Sequence, residues 1–568
     1  MYILGISCYY HDGAAALIKD GQILAAAEEE RFSRIKHDSS FPKQAIAFCL
    51  NFAEIAAQDL DYVIFYEKPF TKFERITLSA LATVPVARGL FTDAYKTWLK
   101  NKLWVKATIA STLKIPAKKI FFGGHHLSHA ASSYYTSDFK SAAILTCDGV
   151  GEWTTTALGK GQGNKLVLNR EIKFPHSLGL FYSTFTQYLG FEINEGEYKV
   201  MGLAPYGQPK YVAEVEKLIR QAEDGSFRLN IDYFNFHVSE KKSFTDKFVK
   251  LFKLPPVNPK DGDQVFIKYA DIAASAQKVL EEKLLVIAKA LQQETGEENL
   301  CYGGGVALNG VANWRIFKEA GFKNIFIHPA AGDSGGAVGA ALYLYYHILG
   351  KPRKKSFQDV FLGQQNSESS VKQFLRVNNL TAKRLSDQDL NNQVTELLAA
   401  GKVIGWVKGR FEWGPRALGA RSILADPRSK KMRDLVNKKI KFREAFRPFA
   451  PVSLYEKGSQ YFEIGSAIPP ILEYMLAVVP VKKSWQAKLG AVTHVDGTAR
   501  PQLIKKPINP AYYNLVKSFG EQTGISTLLN TSFNLKGEPI VNTNEEAYNT
   551  FMNSELDVLI LENYLIKK

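Results

Sequence analysis

A chain of 568 residues that is 46% hydrophobic, 23% charged and 12% aromatic holds three or four domain-sized units and buries sizeable cores. Those proportions, with a mean hydropathy of −0.16, exclude a mostly disordered or fibrous chain. The formal net charge of +16 favours anionic partners: nucleic acid, phosphorylated metabolites or a membrane surface.

Taken in chain order, the first element reads as three strands. Tyr2–Cys8 is apolar, Ala14–Ile18 follows a short polar loop, and Gln22–Ala27 follows Lys19-Asp20-Gly21, where Asp-Gly between apolar runs predicts a hairpin. A similar unit returns later. Ala142–Cys147 is an apolar strand, Asp148–Glu152 a polar loop, Trp153–Leu158 a second strand, Gly159–Asn164 a turn and Lys165–Ile172 a third strand. The recurrence reads as a weak internal repeat; two unrelated β-meanders would read the same way. Apolar positions at three- and four-residue spacing predict a long helix over Asp271–Gln293. Near Gly350 the composition changes. Lys351-Pro352-Arg353-Lys354-Lys355 is basic and breaks helix, Gly363–Ser370 is polar, and a linker is placed over 351–372 between domains 1–350 and 373–568. Mixed strands and long helices predict an α/β protein.

Cys8, Cys49, Cys147 and Cys301 lie far apart with no CxxC. This argues against a disulfide scaffold or a thiolate zinc site and fits a reducing cytoplasm. The opening Met1–Gly5 runs straight to a polar His11-Asp12, unlike a signal peptide. No apolar stretch reaches the ~20 residues a spanning helix needs, so no membrane partner is expected.

The chemistry concentrates in loops. Gly123-Gly124-His125-His126-Leu127-Ser128-His129 places His125 and His129 at i and i+4, on one helix face, where they can hold one metal. Two structural histidines fit the same spacing. Asp148 ends a strand at the DGVG loop, and Asp333 lies in Ala331-Gly332-Asp333-Ser334-Gly335-Gly336, between a predicted strand (Asn324–His328) and helix (Ala337–Leu349). Glycines there let a phosphate approach backbone N–H groups, and Asp beside such a loop commonly holds a cation; turn chemistry favours the same residues. Cys301–Asn309 is a further glycine loop, neither GxGxxG nor GxxxxGK[ST], against a Rossmann or P-loop site. From Arg428 to Arg447, nine Lys or Arg stand against Asp434 and Glu444, which reads as a solvated helix face or a polyanion site.

These segments together resemble the NodU/CmcH family of O-carbamoyltransferases. The matching stretches are YYHDGAAA, EEERFSRIKHDSSFP, GGHHLSHAASSYY, DGVGEW, GEYKVMGLAPYG, GGGVALN, GDSGGA, FEWGPRALGARSIL, KKIKFREAFRPFAP and LLNTSFNLKGEPIV, in family order over residues 1 to about 541. The resemblance implies an N-terminal ASKHA domain, a duplicated ribonuclease-H-like fold, followed by a YrdC-like domain. It implies a reaction of carbamoyl phosphate with ATP, accompanied by Mg²⁺, to give carbamoyl-adenylate, which then carbamoylates a hydroxyl of a small-molecule acceptor. Carried over position by position, it makes His125, His129, Asp148 and Asp333 metal ligands, with iron favoured and Mn²⁺ or Zn²⁺ compatible. It makes His11 the residue acting on the acceptor hydroxyl. It places Gly303, Gly304, Gly305, Asn309 and Gly332 at the adenylate. Arg416 and Lys441 fall at the carbamoyl phosphate and nucleotide phosphates, with Arg500, Asn530 and Ser532 completing that pocket. Two other readings remain: a tRNA-modifying carbamoyl or threonylcarbamoyl transferase, and an ASKHA-type kinase. Against nucleic acid as partner, the sequence has no recognisable RNA-binding module. The acceptor and the oligomeric state stay open, as does a role for residues 67–107, rich in apolar side chains and matching no motif.

Overall fold

The computed structural model describes residues 1–83, 98, 102–239, 241–258, 260, 262 and 264–568. Residues 84–97 and 99–101 of the 67–107 stretch therefore lie outside the described residues. The chain divides into two compact units, one of residues 1–29 and 39–358, the other of residues 30–38 and 359–568.

The first unit is built on two sheets of one topology. Tyr2–Ser7 (β1), Ala14–Lys19 (β2) and Gln22–Glu28 (β3) pair antiparallel in succession, while β1 pairs in parallel with Tyr62–Phe65 (β4) and β4 with Ile120–Phe122 (β5). The order is β3-β2-β1-β4-β5. Ser141–Cys147 (β6), Thr154–Gln162 (β7) and Lys165–Lys173 (β8) repeat the antiparallel meander. After a small ribbon of Ile219–Gln221 (β9) and Phe227–Leu229 (β10), Asn299–Gly303 (β11) and Asn324–Ile327 (β12) add to β6 in parallel. The second order, β12-β11-β6-β7-β8, is the first one repeated. The recurrence in the sequence is thus a fold duplication.

Local chemistry explains the elements. Asp20 (φ 51°) and Gly21 (φ 83°) both sit in the left-handed region that a two-residue hairpin turn demands. The predicted turn at Gly159–Asn164 is a correction: β7 continues to Gln162, and only Gly163 and Asn164 turn. Gly159 and Gly161 lie inside the strand because neighbours crowd them. A Cβ at Gly159 would meet the Val167 carbonyl at 1.9 Å, and one at Gly161 the Tyr134 ring at 2.6 Å.

Two helices, His125–Tyr134 and Gly335–Tyr343, pack closely at the centre of this unit. A Cβ on Gly339 would lie 1.8 Å from the Ser128 carbonyl, and one on Gly5 of β1 1.9 Å from the Ala337 carbonyl. Their close approach is what brings the histidines beside Asp333. Arg353, in the basic run read as a break, donates to the carbonyls of Tyr134 (2.5 Å) and Ser137 (2.8 Å), past the C-terminal end of the histidine helix. That is where a cation satisfies orphan carbonyls and the helix dipole. The long helix spans Ala270–Thr295, slightly beyond its predicted bounds.

The second unit is an eight-stranded mixed sheet. Its central strands are Ile404–Val407, Arg421–Ala425, Thr527–Ser532 and Ala450–Leu454. Helices Asp387–Ala399 and Pro510–Thr523 contribute Leu390, Val394, Leu398, Leu515, Val516 and Phe519 to its buried core. No helix among the described residues is long and apolar enough to cross a membrane.

Candidate active site

His125, His129, Asp148 and Asp333 converge in the first unit, all buried, with one ligand atom from each within 4.8 Å of the others. The two histidines come from one helix face, Asp148 from the end of β6, and Asp333 from the loop between β12 and the helix Gly335–Tyr343. His125 Nε2 lies 2.9 Å from Asp148 Oδ2, 3.1 Å from His129 Nε2 and 3.7 Å from Asp333 Oδ1. His129 Nε2 is 3.4 Å from each carboxylate. Ligands ~2.0–2.2 Å from a common divalent ion stand roughly 3–3.5 Å apart, so the quartet fits one. Its donor set, two imidazoles and two carboxylates, suits Fe, Mn or Zn.

The electrostatics agree. Burial works against a charged His125, yet Asp333, Asp148 and Glu67 outweigh it and raise it to about 10. His129 is raised likewise, its burial outweighed by Asp148 and Asp333. Burial opposes ionisation of Asp148, but the two histidines hold its carboxyl well below the usual range. The cluster therefore attracts positive charge, and a divalent ion placed there would take the place of the imidazole protons. His126, one position off this face, is driven down to about 3 by burial and by its histidine neighbours. It bonds Thr146 and the Thr154 carbonyl, a packing role.

Around the quartet stand residues that the sequence reading left unassigned. Glu67 Oε2 is 3.6 Å from His125 Nδ1 and 2.6 Å from Lys72 Nζ. Glu152 accepts from the backbone N–H of His125 (3.0 Å) and of Lys68 (2.8 Å). Tyr66 donates to Asp333 Oδ2 at 3.4 Å. Such outer contacts orient metal ligands. Their one sequence signal was proximity: Glu152 lies in DGVGEW, and Tyr66-Glu67 follows β4.

The glycine loop has two faces. Gly305 N–H donates to Asp148 Oδ1 at 2.9 Å. A Cβ at Gly303 would meet the His129 carbonyl at 2.7 Å, and one at Gly304 (φ 93°) the Cys147 carbonyl at 2.3 Å. These glycines let β11 close against the ligand-bearing elements. A Cβ on Gly332 would meet nothing within 4 Å, leaving room for a ligand beside Asp333. Asn309 caps the helix Gly310–Glu319 through Ala312 N–H and exchanges amide hydrogen bonds with Gln277. His11, on the loop between β1 and β2, is 2.7 Å through Nδ1 from Asp12 Oδ2. Burial pulls it down, but Asp12, Asp333 and a backbone hydrogen bond to Asn194 raise it to about 9.

In the second unit, Lys441 is buried and donates to Ser532 O (2.9 Å), Asn534 O (2.8 Å) and Asn534 Oδ1 (2.5 Å). Burial, then Arg443, Arg447 and Lys36, push its amine well below the usual lysine range. A cluster of cations that suppress one another is stabilised by a bound polyanion. Asn530 donates to the Ala417 carbonyl (3.1 Å) and to Gln502, which in turn donates to the Leu418 carbonyl (2.8 Å). Glu412 Oε1 accepts the N–H groups of Leu418, Ala420 and Arg421 at 2.6–3.1 Å. Arg31 donates to the Gly414 carbonyl at 3.0 Å. The loop carrying Arg416 is therefore held by Asn530, Gln502, Glu412 and Arg31, of which the sequence reading singled out Asn530. Arg500 follows the short strand Thr498–Ala499 and bears on His494, which burial and Arg500 lower to about 4 against Asp496.

A duplicated α/β unit around a buried His/Asp quartet, joined in one chain to a second α/β unit with a cluster of cations around Lys441, has the make-up of an enzyme. Residues 2–342 match the family of carbamoyltransferase N-termini and residues 395–568 that of carbamoyltransferase C-termini. The chain belongs to the carbamoyltransferase family. It is 45% identical to the protein sll1178 of Synechocystis, over 100% of this chain and 97% of that one. It is 36% identical to the nodulation protein NolNO of Sinorhizobium fredii, over 99% and 79%. With the 3'-hydroxymethylcephem-O-carbamoyltransferase of Amycolatopsis lactamdurans it shares 35% identity, over 47% and 49%.

Proposed function

We propose that the chain is an ATP-dependent O-carbamoyltransferase with two sites. In the second unit, carbamoyl phosphate gives up phosphate to water, and the resulting carbamate oxygen attacks the α-phosphorus of ATP. This yields carbamoyl-adenylate and pyrophosphate. In the first unit an acceptor hydroxyl attacks the carbamoyl carbon, and AMP leaves. The observation that carries this reading is the buried His₂Asp₂ quartet in a member of the carbamoyltransferase family.

Each part has a role that its surroundings support. Arg416 grips a phosphate through its planar fork, and Lys441 supplies a compact charge beside Ser532. Arg500 adds charge to the same pocket. The open side of Gly332 admits the adenylate phosphate next to Asp333. An ion held by His125, His129, Asp148 and Asp333 supplies a Lewis acid that offsets the charge of the departing AMP; iron, manganese and zinc all suit the ligands. His11 takes the hydroxyl proton, with Asp12 fixing the ring.

The test is direct. Purified chain, supplied with ATP, Mg²⁺, carbamoyl phosphate and a panel of hydroxyl acceptors, is expected to release AMP and pyrophosphate. ADP as the sole nucleotide product across the panel overturns the reading.

The His11 assignment predicts a pH profile. A base acts only when neutral, and His11 raised from 6.5 to about 9 is protonated below that range. Transfer should therefore rise with pH to a midpoint between those values, the ion lowering it by offsetting Asp333. His11→Ala should flatten the limb and slow transfer by about 10²–10⁴-fold. An unchanged limb in that variant removes His11 from the role.

A further inference from the structure

Arg75 is 7% exposed, on the helix Pro69–Leu81 that follows β4. Its Nε is buried with no hydrogen-bond partner, and burial outweighs the Tyr10, Glu67 and Glu152 charges that favour its cation. Its cation is therefore unlike that of Lys72, one turn earlier, which is 2.6 Å from Glu67. The Arg75 guanidinium lies over the Phe174 ring at 5.0 Å, and Phe174 is fixed by its N–H to the Trp153 carbonyl (2.8 Å). Neighbouring Glu152 is committed to the N–H groups of Lys68 and His125. Tyr10, which stacks on Lys72 at 4.1 Å, reaches toward the Asp148 loop: a Cβ on Gly149 would stand 3.8 Å from its hydroxyl. Arg75 thus belongs to the surroundings of the ligand quartet.

A buried guanidinium without a direct partner is unfavourable unless something pairs with it. Five donors in a rigid fork match an oxyanion. The adenylate is assigned to the half of the unit built on the second sheet, at the glycine loop ending β11 and the loop after β12. Arg75 comes from the helix after β4, in the half built on the first sheet, which also carries His11. We propose that Arg75 binds an oxyanion, a carboxylate or phosphate, carried by the hydroxyl acceptor, so that the enzyme selects anionic acceptors. This rests on the O-carbamoyltransferase reading, and its test needs no turnover.

Inorganic phosphate, acetate, glycerol 3-phosphate and glycerol are titrated against the full wild-type chain and Arg75→Gln, both carrying the same second-unit phosphate site. The wild type is expected to bind phosphate, acetate and glycerol 3-phosphate at an additional site, about tenfold or more weaker in Arg75→Gln, and not to bind glycerol there. Arg75→Gln is also expected to melt at higher temperature, because it removes a buried charge whose desolvation outweighs the carboxylates facing it. Equal anion binding by the two proteins overturns the proposal, and so does a lower melting temperature with binding unchanged. Binding of free phosphate with exclusion of glycerol 3-phosphate overturns the assignment to the acceptor. Wild-type crystals soaked in selenate give a reading independent of any variant: an anomalous peak within hydrogen-bond distance of Arg75 supports the site, and no peak there refutes it. A chain that makes AMP and pyrophosphate yet shows no such binding loses this inference alone.

Discussion

Arg416→Ala is expected to abolish pyrophosphate release and acceptor carbamoylation together, whereas Asp333→Asn is expected to lose transfer while still releasing pyrophosphate. The contrast follows from where each side chain sits. Arg416 lies on a loop in the second unit whose carbonyls and N–H groups are held by Asn530, Gln502 and Glu412. Removing the guanidinium leaves that frame intact and deletes the proposed charge-assisted contact to phosphate. Nothing is then made that the first unit could use. Asp333 contributes to the ligand quartet. The asparagine is nearly isosteric but neutral, so it weakens both the hold on an ion and the field facing the leaving AMP. Losing one such electrostatic contact slows the step by about 10²–10³-fold. Pyrophosphate and carbamoylated product, measured on the same samples, separate the outcomes. Normal transfer by Asp333→Asn, or wild-type transfer by Arg416→Ala, sinks the two-site assignment.

The legible parts of this protein were those with local causes. The Asp20-Gly21 hairpin, the meander from Ser141 to Lys173 and the i, i+4 spacing of His125 and His129 are each set by neighbouring residues, and each was readable. The convergence of the quartet was legible through the family resemblance alone, because Asp148 and Asp333 reach the histidines only through the parallel addition of β11 and β12 to β6 and the close contact of Gly339 with Ser128. Gly159 and Gly161 misled for a related reason: a glycine signals a turn locally, but here the demand came from Val167 on the paired strand and Tyr134 on the histidine helix. Glu67, Lys72 and Arg75 sit in a stretch without a motif, and their importance comes from burial, which composition does not reveal. Glu30–Asp38 shows the limit most clearly. Its residues lie early in the chain, yet Arg31 bonds Gly414 and Arg34 bonds the carbonyls of Pro539 and Ile540; no linear boundary predicts that.

Glu67→Ala is expected to be among the most damaging single changes outside the ligands themselves. Glu67 is 3% exposed and Lys72 2%. Burial alone would raise the Glu67 carboxyl, but Lys72 and His125 overcome it and hold it at about 2, against an ordinary 4.5. A depressed carboxyl stabilises the fold above its unfolded value and loses that contribution as pH falls toward the folded value. The pair therefore supports the native state above pH 4.5 and fails on acidification toward pH 2, with a linkage of roughly 3 kcal/mol. Removing Glu67 at neutral pH strands the Lys72 ammonium beneath Tyr10, a loss of about 3–5 kcal/mol, a large share of the ~5–15 kcal/mol that holds a typical domain together. The double change Glu67→Leu with Lys72→Met removes both charges and should restore most of that stability. It should not restore the ion. His125 Nδ1 faces Glu67, and loss of an outer carboxylate weakens metal binding by about 10–100-fold, whereas His129→Ala, which deletes a ligand, should weaken it further. Urea unfolding and chelator competition on the single and double variants test both halves. A double variant that is stable and binds metal as tightly as the wild type would show that the Glu67–Lys72 pair serves the fold alone.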